Sequence, residues 1–496
     1  MQKEAGSALP KHIHVIGICG VATSALAIAF HQAGVKVTGS DKGFFPPVST
    51  ELEKHGISFY AGWHPEKMVA DGIPDLVVVT TASGTQNPET LYAKEKGILS
   101  LGYTEVFGKY FIKEKSIVCT GTWGKTSSTA LLSHILEQAS LDPSYMFGGV
   151  SLSHESSAKI TDSKWSIFEG DEYKSSPTDP TAKFFYYKPT HLLLSAVSWD
   201  HADLYPTEES YFNAFKKLIS GIPDSGCIVA NVQNTGVART LGQTTGNQMS
   251  RKIISYGLGV LGASDYSYSD VQQKKDGLSL TISHAGKSYK VTSPMLGAFQ
   301  AENITGCFAM AHEIGIAPEK ILEAIGTFKG LKRRLEKRLD EKDSTSGVTV
   351  FDDIAHSPEK AASVLKNLRE IYTGKIITVF EPNIGGRQRE TAHKYDNAFK
   401  DADMVIIPRL SKLKVNKEVE TGSDSPALVE LSPMEGDELA TIIKKTQPQT
   451  EYIDDDAKLV NHIVTTAKKG DCIVFLGSHG FRGMIEEVVK SLKSKV

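Results

Sequence analysis

The segment around residues 116–138 constrains this chain more than any other. Ser116–Thr120 is an apolar run that reads as a buried strand, Gly121-Thr122-Trp123-Gly124 turns, and Thr126–Gln138 has helical spacing. A strand feeding a glycine turn that opens a helix commits the chain to layered α/β architecture, because the helix must pack back over the sheet. The junction is also a site. The first N–H groups of the helix are unpaired donors at the positive end of its dipole, and they hold phosphate well. Lys125 would reach the outer phosphates and the Thr126 hydroxyl would bind Mg²⁺. Gly121, Thr122, Gly124, Lys125, Thr126 and Ser127 are therefore the candidate nucleotide-phosphate residues. The general pattern has a glycine where this chain has Cys119, so the string alone also fits a plain strand–helix turn.

Two further features sit where ligands of an α/β sheet bind, just past the carboxyl ends of strands. Glu169, in Phe168-Glu169-Gly170-Asp171-Glu172, ends an apolar run about forty residues after the loop, the place of an acid that holds the loop's metal. A lone acid there could equally cap a helix, but three acids in four residues suggest a cation site. His201, in Trp199-Asp200-His201-Ala202-Asp203, follows another buried run; a lone histidine is usually structural, but this one shares its expected sheet edge with Thr126 and Glu169 and is a candidate metal or phosphate ligand. Near the N-terminus, Gly17-Ile18-Cys19-Gly20 follows the run His12–Ile18, and Ser40-Asp41 closes a second strand. Strand, glycine turn, helix, strand and acid is the order of a dinucleotide-binding unit. Alone it would point to a dehydrogenase. Beside a P-loop it suggests a nucleotide-carrying substrate in one domain and ATP in the next.

With 496 residues the chain has room for about three domains. The expected fold is α/β with three domains. Residues 1–112 form a Rossmann-like domain, and residues 113–331 a central P-loop domain with extra β-hairpins between Lys252 and Thr292. Residues 332–496 form a second Rossmann-like domain. Expected elements of that last part are strand Val348–Phe351, helix Pro358–Ile371, strands Lys375–Phe380, Met404–Ile407 and Asp471–Leu476, and a helix near Tyr395–Lys400. A net charge of −3 from 55 basic and 58 acidic residues calls for neither nucleic acid nor a membrane surface. No apolar run approaches the ~18–20 residues of a membrane span, and residues 1–10 lack a signal-peptide core, so the expected location is the cytoplasm. Cys19, Cys119, Cys227, Cys307 and Cys472 are scattered singly and read as reduced thiols, mostly in the core.

The order of these motifs resembles the Mur ligases over nearly the full chain. Thr120–Ser127 is similar to the family's Thr-Gly-Thr-His-Gly-Lys-Thr-Thr loop, which itself lacks the first glycine. Glu169-Gly170-Asp171-Glu172 resembles its Glu-Ala-Asp-Glu magnesium motif, and His201 matches its metal-binding histidine. Gly17, Cys19, Gly20, Ser40 and Asp41 occupy its UDP-binding turn. Asn303, in Gly297-Ala298-Phe299-Gln300-Ala301-Glu302-Asn303, stands in the adenine-side motif. Arg333 and Arg334 stand in the hinge whose arginine approaches ATP, and Asp353 and His356 in the segment that the third domain folds over the nucleotide.

The resemblance implies an ATP- and Mg²⁺-dependent ligase in peptidoglycan recycling or synthesis. It would activate the lactyl carboxylate of UDP-N-acetylmuramate as an acyl phosphate and pass it to a free amine. Phe45-Pro46-Pro47-Val48-Ser49-Thr50, Asp171-Glu172-Tyr173, Asp200-His201-Ala202-Asp203-Leu204-Tyr205-Pro206 and Phe380-Glu381-Pro382-Asn383 are most similar to members that add the tripeptide L-alanyl-γ-D-glutamyl-meso-diaminopimelate. Members that add L-alanine are the near alternative. Lys125, Glu169 and His201 would be catalytic, and Arg387 or Arg389 would face a carboxylate of the incoming peptide. No nucleic acid or membrane partner is implied, and the expected state is a monomer or weak homodimer. The chain departs from the family at Trp123, Ala196, Ser198, Phe299, Gln300 and Ser357, which leaves open a relative that binds nucleotide without ligating.

Overall fold

The computed structural model describes residues 8–44, 48–80, 86–176, 179–201, 203–244, 251–259, 262–411 and 433–493. Phe45, Pro46, Pro47, Thr81 and Ala202 lie outside these residues. The chain forms two compact units. One holds the chain up to Gln272 with Leu278–Met295 and Phe299–Leu331; the other holds Gln273–Gly277, Leu296–Ala298 and the chain from Lys332.

The first unit contains two sheets. The N-terminal sheet is parallel throughout, in the spatial order Ser58–Ala61, Lys36–Asp41, His12–Ile16, Leu76–Val79, Ser100–Gly102. The order reverses beside His12–Ile16, and in open α/β sheets ligands bind at that point, past the strands' carboxyl ends. The glycine turn that follows His12–Ile16 lies there. The central sheet has ten strands, and Lys115–Thr120 lies inside it between Trp165–Gly170 and His191–Leu194, paired in parallel with both. Ser116–Thr120 is buried at every position, with apolar Ile117, Val118 and Cys119 in the middle, while the Ser116 and Thr120 hydroxyls donate to the carbonyls of Tyr187 and Gly170.

The two sheets share a core, which is why they form one unit. Phe107 and Phe111 sit 4.8 Å apart, ring centre to ring centre, and Phe107 lies 5.6 Å from Phe168 of the central sheet. All three are fully buried. Each such side chain contributes roughly 1.5–3 kcal/mol of burial. The helix Lys125–Gln138 packs against the helix Gln300–Glu313. Small side chains permit the approach: Ser128, Thr129, Ala130 and Ser133 are buried, and Cys307 Sγ lies 3.4 Å from the Ser128 carbonyl. Thr129 and Ser133 return their hydroxyls to the carbonyls of Lys125 and Thr129, so no buried donor is left over at these positions.

The expected hairpin region is half right. Gly277–His284 and Lys287–Ser293 form an antiparallel hairpin around Ala285-Gly286. Lys252–Leu258 and Tyr266–Lys274 instead extend the parallel part of the central sheet. Both lie inside the ten-stranded sheet, between Cys227–Asn231 and the hairpin, and both are only partly buried, so their side-chain pattern does not distinguish a parallel neighbour from a hairpin partner.

The second unit has a six-stranded sheet, parallel except for its edge strand Glu336–Leu339. Its strands alternate between two cores. Phe351, Ile376, Phe380, Val474 and Leu476 join one cluster, while Val350, Ile377, Val379, Ile473 and Phe475 join the other. That two-residue alternation is the pleat itself, and it explains why these strands read as continuous apolar runs. Pro358–Ile371 is a helix as expected, started by Ser357, whose hydroxyl accepts from the Lys360 N–H. The expected helix near Tyr395–Lys400 is instead a short 3₁₀ stretch at Arg389–Tyr395. Four of the five cysteines are buried and Cys19 is half-buried. Among the described residues no helix is long and apolar enough to cross a membrane.

His154 gives the first unit a measurable pH response. Its side chain is fully buried, with ring centres 5.2 Å from Tyr145 and 5.3 Å from Phe147, and burial pushes its pKa from 6.5 down to about 3. Folding therefore favours the neutral ring. The stability this confers is complete above 6.5 and is lost as pH falls from there toward 3. Between pH 7 and pH 5 the loss is at most about 2 kcal/mol, the linkage cost of withholding one proton over that range. Thermal denaturation at the two pH values should show a smaller drop in Tm for His154→Phe than for the parent. Equal drops in the two proteins would show that His154 does not carry the response.

Candidate functional site

The P-loop is shaped by its neighbours at the carboxyl ends of the central strands. Gly121 has φ +134°, and a side chain there would stand 2.5 Å from Ser195 Oγ and 2.7 Å from the Ala196 backbone N and O. The Thr122 N–H donates to the Ala196 carbonyl at 2.9 Å, and Ser195 Oγ donates to the Trp123 carbonyl at 2.5 Å. The Thr122 hydroxyl is tied to the backbone of Ser198. Gly124 caps the helix with φ +83°, and a side chain there would meet Asn303 Oδ1 at 2.5 Å. The loop is thus laced to the stretch Ser195–Ser198 on one side and to Asn303 on the other. Ala196 and Ser198 depart from the family, yet both act here through backbone groups, which any residue supplies.

Thr126 and Glu169 face each other: the hydroxyl donates to Glu169 Oε1 at 2.8 Å. The other carboxylate oxygen accepts from the Gly148 N–H at 2.6 Å. Nearby, ligand atoms of Asp171, Glu172 and His201 all lie within 4.8 Å of one another. His201 adopts φ +55°, and its Nε2 stands 3.7 Å from Glu172 Oε1. Burial works to raise the Asp171 carboxyl, but the Lys183 ammonium 2.5 Å away outweighs it and holds the pKa below its ordinary value. A hydroxyl, several anionic carboxylate oxygens and one imidazole are hard or borderline donors, and they fit Mg²⁺. Thr126, Glu169 and His201, the three expected ligands, all belong to this unit.

Glu172 was not among the expected site residues, although its run of acids was conspicuous. Its side chain is 1% exposed, and it accepts from Lys125 Nζ at 2.9 and 3.2 Å and from the Tyr211 hydroxyl at 3.2 Å. Lys125 Nζ also donates to the Gly121 carbonyl. Tyr211 and Ser195 carried no sequence signal. Ser127 is half-exposed on the first turn of the helix.

At the N-terminal turn, the Asp41 carboxylate accepts from the Cys19 N–H at 2.8 Å, and Gly17 N–H donates to the Ser40 carbonyl at 2.8 Å. Gly20 precedes the helix Val21–Gln32. Asp41 therefore braces the turn. Ser40 corrects an expectation: its side chain is fully buried and its hydroxyl donates to Glu89 at 2.5 Å, so it does not face a ligand.

The remaining candidates lie in the second unit. The Arg333 guanidinium binds the carbonyls of Gly477, Ser478 and His479 and lies 3.4 Å from Asp352. Arg334 is exposed. Asp353 accepts from the Leu335 and Ala355 N–H groups, and His356 Nδ1 lies 2.7 Å from the Ile354 carbonyl. Arg387 and Arg389 differ. Arg387 is 4% exposed and donates to the carbonyls of Met434 and Ser411 at 3.0 Å each, so its guanidinium braces the chain and is not presented to a ligand. Arg389 is the exposed one of the pair, bidentate on Glu438.

The crowding at Gly121 predicts that Gly121→Ala lowers stability by about 2 kcal/mol or more, since the new methyl meets backbone and not a flexible side-chain end. Chemical denaturation measures this, and an unchanged midpoint would contradict the close approach.

Comparison with known proteins gives a consistent result. The Mur ligase family catalytic domain matches residues 12–114, the Mur ligase middle domain residues 119–311, and the Mur ligase glutamate ligase domain residues 333–479. The UDP-N-acetylmuramate–L-alanyl-γ-D-glutamyl-meso-2,6-diaminoheptandioate ligase of Haemophilus influenzae is 28% identical, covering 98% of this chain and 100% of its own. The UDP-N-acetylmuramate–L-alanine ligase of Mesorhizobium japonicum is also 28% identical, covering 94% of each. The crystal structure of the UDP-N-acetylmuramate–alanine ligase of Thermotoga maritima superposes with a TM-score of 0.73 at 19% identity, over 97% of this chain and 99% of that one. Three family domains in the family's order, on a fold whose P-loop faces a carboxylate–histidine cluster, place this chain in the Mur ligase family of ATP-dependent, amide-bond-forming ligases.

Proposed function

We propose that this protein joins the lactyl carboxylate of UDP-N-acetylmuramate to the free amine of L-alanyl-γ-D-glutamyl-meso-diaminopimelate, with ATP cleaved to ADP and phosphate. The observation that carries the reading is the cluster at the P-loop mouth, where Lys125, Thr126, Glu169, Asp171, Glu172 and His201 gather cationic and metal-binding groups at one end of the central sheet. The peptide-adding relative aligns over nearly all of both chains, which supports the tripeptide as acceptor. L-alanine is the second reading, supported by the Mesorhizobium relative at the same identity. In this reading residues 1–112 bind the UDP-sugar through the Gly17–Gly20 turn, residues 113–331 bind ATP, and residues 332–496 close over it.

The chemistry brings two anions together. A carboxylate oxygen attacks the γ-phosphorus, the bond to ADP breaks, and an acyl phosphate forms. The acceptor amine then attacks the acyl carbon, loses a proton and expels phosphate. The N–H groups from Gly124 onward and the Lys125 ammonium neutralise the phosphoryl oxygens, and the rigid loop holds them in line. Mg²⁺, when bound, adds positive charge at the same oxygens, with Thr126, Glu169 and His201 as its holders. No side chain needs to act as a strong acid or base; charge and position carry the step.

Purified protein given ATP, Mg²⁺ and UDP-N-acetylmuramate should release phosphate only when an acceptor is present, with kcat/KM at least about tenfold higher for the tripeptide than for L-alanine. Lys125→Ala should lower kcat/KM by about 10²–10³. Phosphate release that ignores both acceptors would favour a nucleotide-binding relative that does not ligate.

A further inference from the structure

Lys125 carries two tasks that conflict. Its Nζ makes a 2.9 Å ion pair with Glu172, whose side chain is 1% exposed, and donates to the Gly121 carbonyl at 2.8 Å. Glu172 is held in place for this pairing. The Tyr211 hydroxyl donates to its Oε1, and the Tyr205 hydroxyl donates to its backbone carbonyl at 2.7 Å. Tyr211 in turn lies 3.1 Å from the Thr122 hydroxyl, so the acid is wired to the loop itself. A phosphate on the loop competes with Glu172 for the same ammonium. If Lys125 turned to phosphate alone, a buried carboxylate would lose its cation beside a polyanion, and an uncompensated buried charge is costly. Groups that could hold a replacement cation against Glu172 are close: ligand atoms of Asp171 and His201 lie within 4.8 Å of that of Glu172.

We propose that Glu172 is a positioning residue that makes nucleotide binding depend on a divalent cation. It holds Lys125 back from phosphate until a cation, shared with Asp171 and His201, replaces the ammonium. The proposal rests on the reading of the loop as an ATP site. Its consequence is specific: removing the charge of Glu172 frees Lys125, so ATP binds better without metal, and the advantage conferred by Mg²⁺ shrinks.

Calorimetric titration of ATP into the full-length protein, once in EDTA and once in excess Mg²⁺, tests this. In EDTA, Glu172→Gln should bind ATP at least about tenfold more tightly than the parent, the equivalent of losing one partly buried ion pair. The ratio of affinities with and without Mg²⁺ should fall. In a Lys125→Ala background the same substitution should gain less than about threefold, because the effect runs through the lysine. An unchanged or weaker affinity in EDTA, in a variant whose circular dichroism matches the parent, would overturn the proposal. So would an equal gain in both backgrounds, since Glu172 would then merely repel phosphate. Should Glu172→Gln not fold, Glu172→Asp keeps the charge but shortens the reach to Lys125. It should give a smaller gain with the same dependence on Lys125, and no gain overturns the proposal. If Lys125→Ala alone binds ATP in excess Mg²⁺ as the parent does, the ATP-site reading itself fails.

Discussion

Two backbone segments, Gly121-Thr122 and Ser195-Ala196, meet at the carboxyl ends of adjacent parallel strands, and the site depends on that contact. A Cβ at Gly121 would stand 2.7 Å from backbone atoms of Ala196, so only glycine permits the approach. The approach fixes the course of the loop, and the loop fixes where the helix Lys125–Gln138 begins. From that start follow the direction of the free N–H groups and the place of Lys125 and Thr126. The parallel register sets the acids: Thr120 pairs with Gly170 on one side and with Leu194 on the other. Residues at and just past the end of each strand, Glu169–Glu172 and Ser195–His201, therefore emerge around the loop without any long-range device beyond the sheet itself.

The same arrangement concentrates negative charge. Glu169, Asp171 and Glu172 fall within four residues, and a buried carboxylate left without a partner is costly. Each instead has a specific partner: Thr126 and the Gly148 N–H for Glu169, Lys183 for Asp171, Lys125 and Tyr211 for Glu172. Such a network stores its charges in exchangeable pairs. A cation and a phosphate can enter it only by trading partners, which suits an enzyme that must bring a carboxylate to a phosphoryl group.

The second unit shows how arginine can be structural where sequence suggests recognition. Arg333 and Arg387 both spend their guanidinium groups on backbone carbonyls, closing loops at the end of the six-stranded sheet. A planar fork with five donors suits carbonyl clusters as well as it suits carboxylates. Residue type alone does not separate the two uses.

Much of the fold was legible because strand and helix periods are local. Ser116–Thr120, Cys227–Asn231 and Pro358–Ile371 appear where apolar spacing puts them, and Gly121, Lys125 and Thr126 were legible as a candidate phosphate site because a strand–turn–helix junction fixes their geometry within a few residues. What the chain order could not reveal came from contacts between distant segments. Lys252–Leu258 joins the sheet as a parallel strand, the Ser40 hydroxyl turns inward to Glu89, and the Arg387 guanidinium is buried against Met434 and Ser411. Glu172 illustrates the division. The sequence determined that an acid would follow Glu169 at the end of a strand. Only the tertiary structure decided that it would lie beneath Lys125, because that placement depends on the helix 208–220 bringing Tyr211 to the loop and on burial that makes an unpaired carboxylate costly.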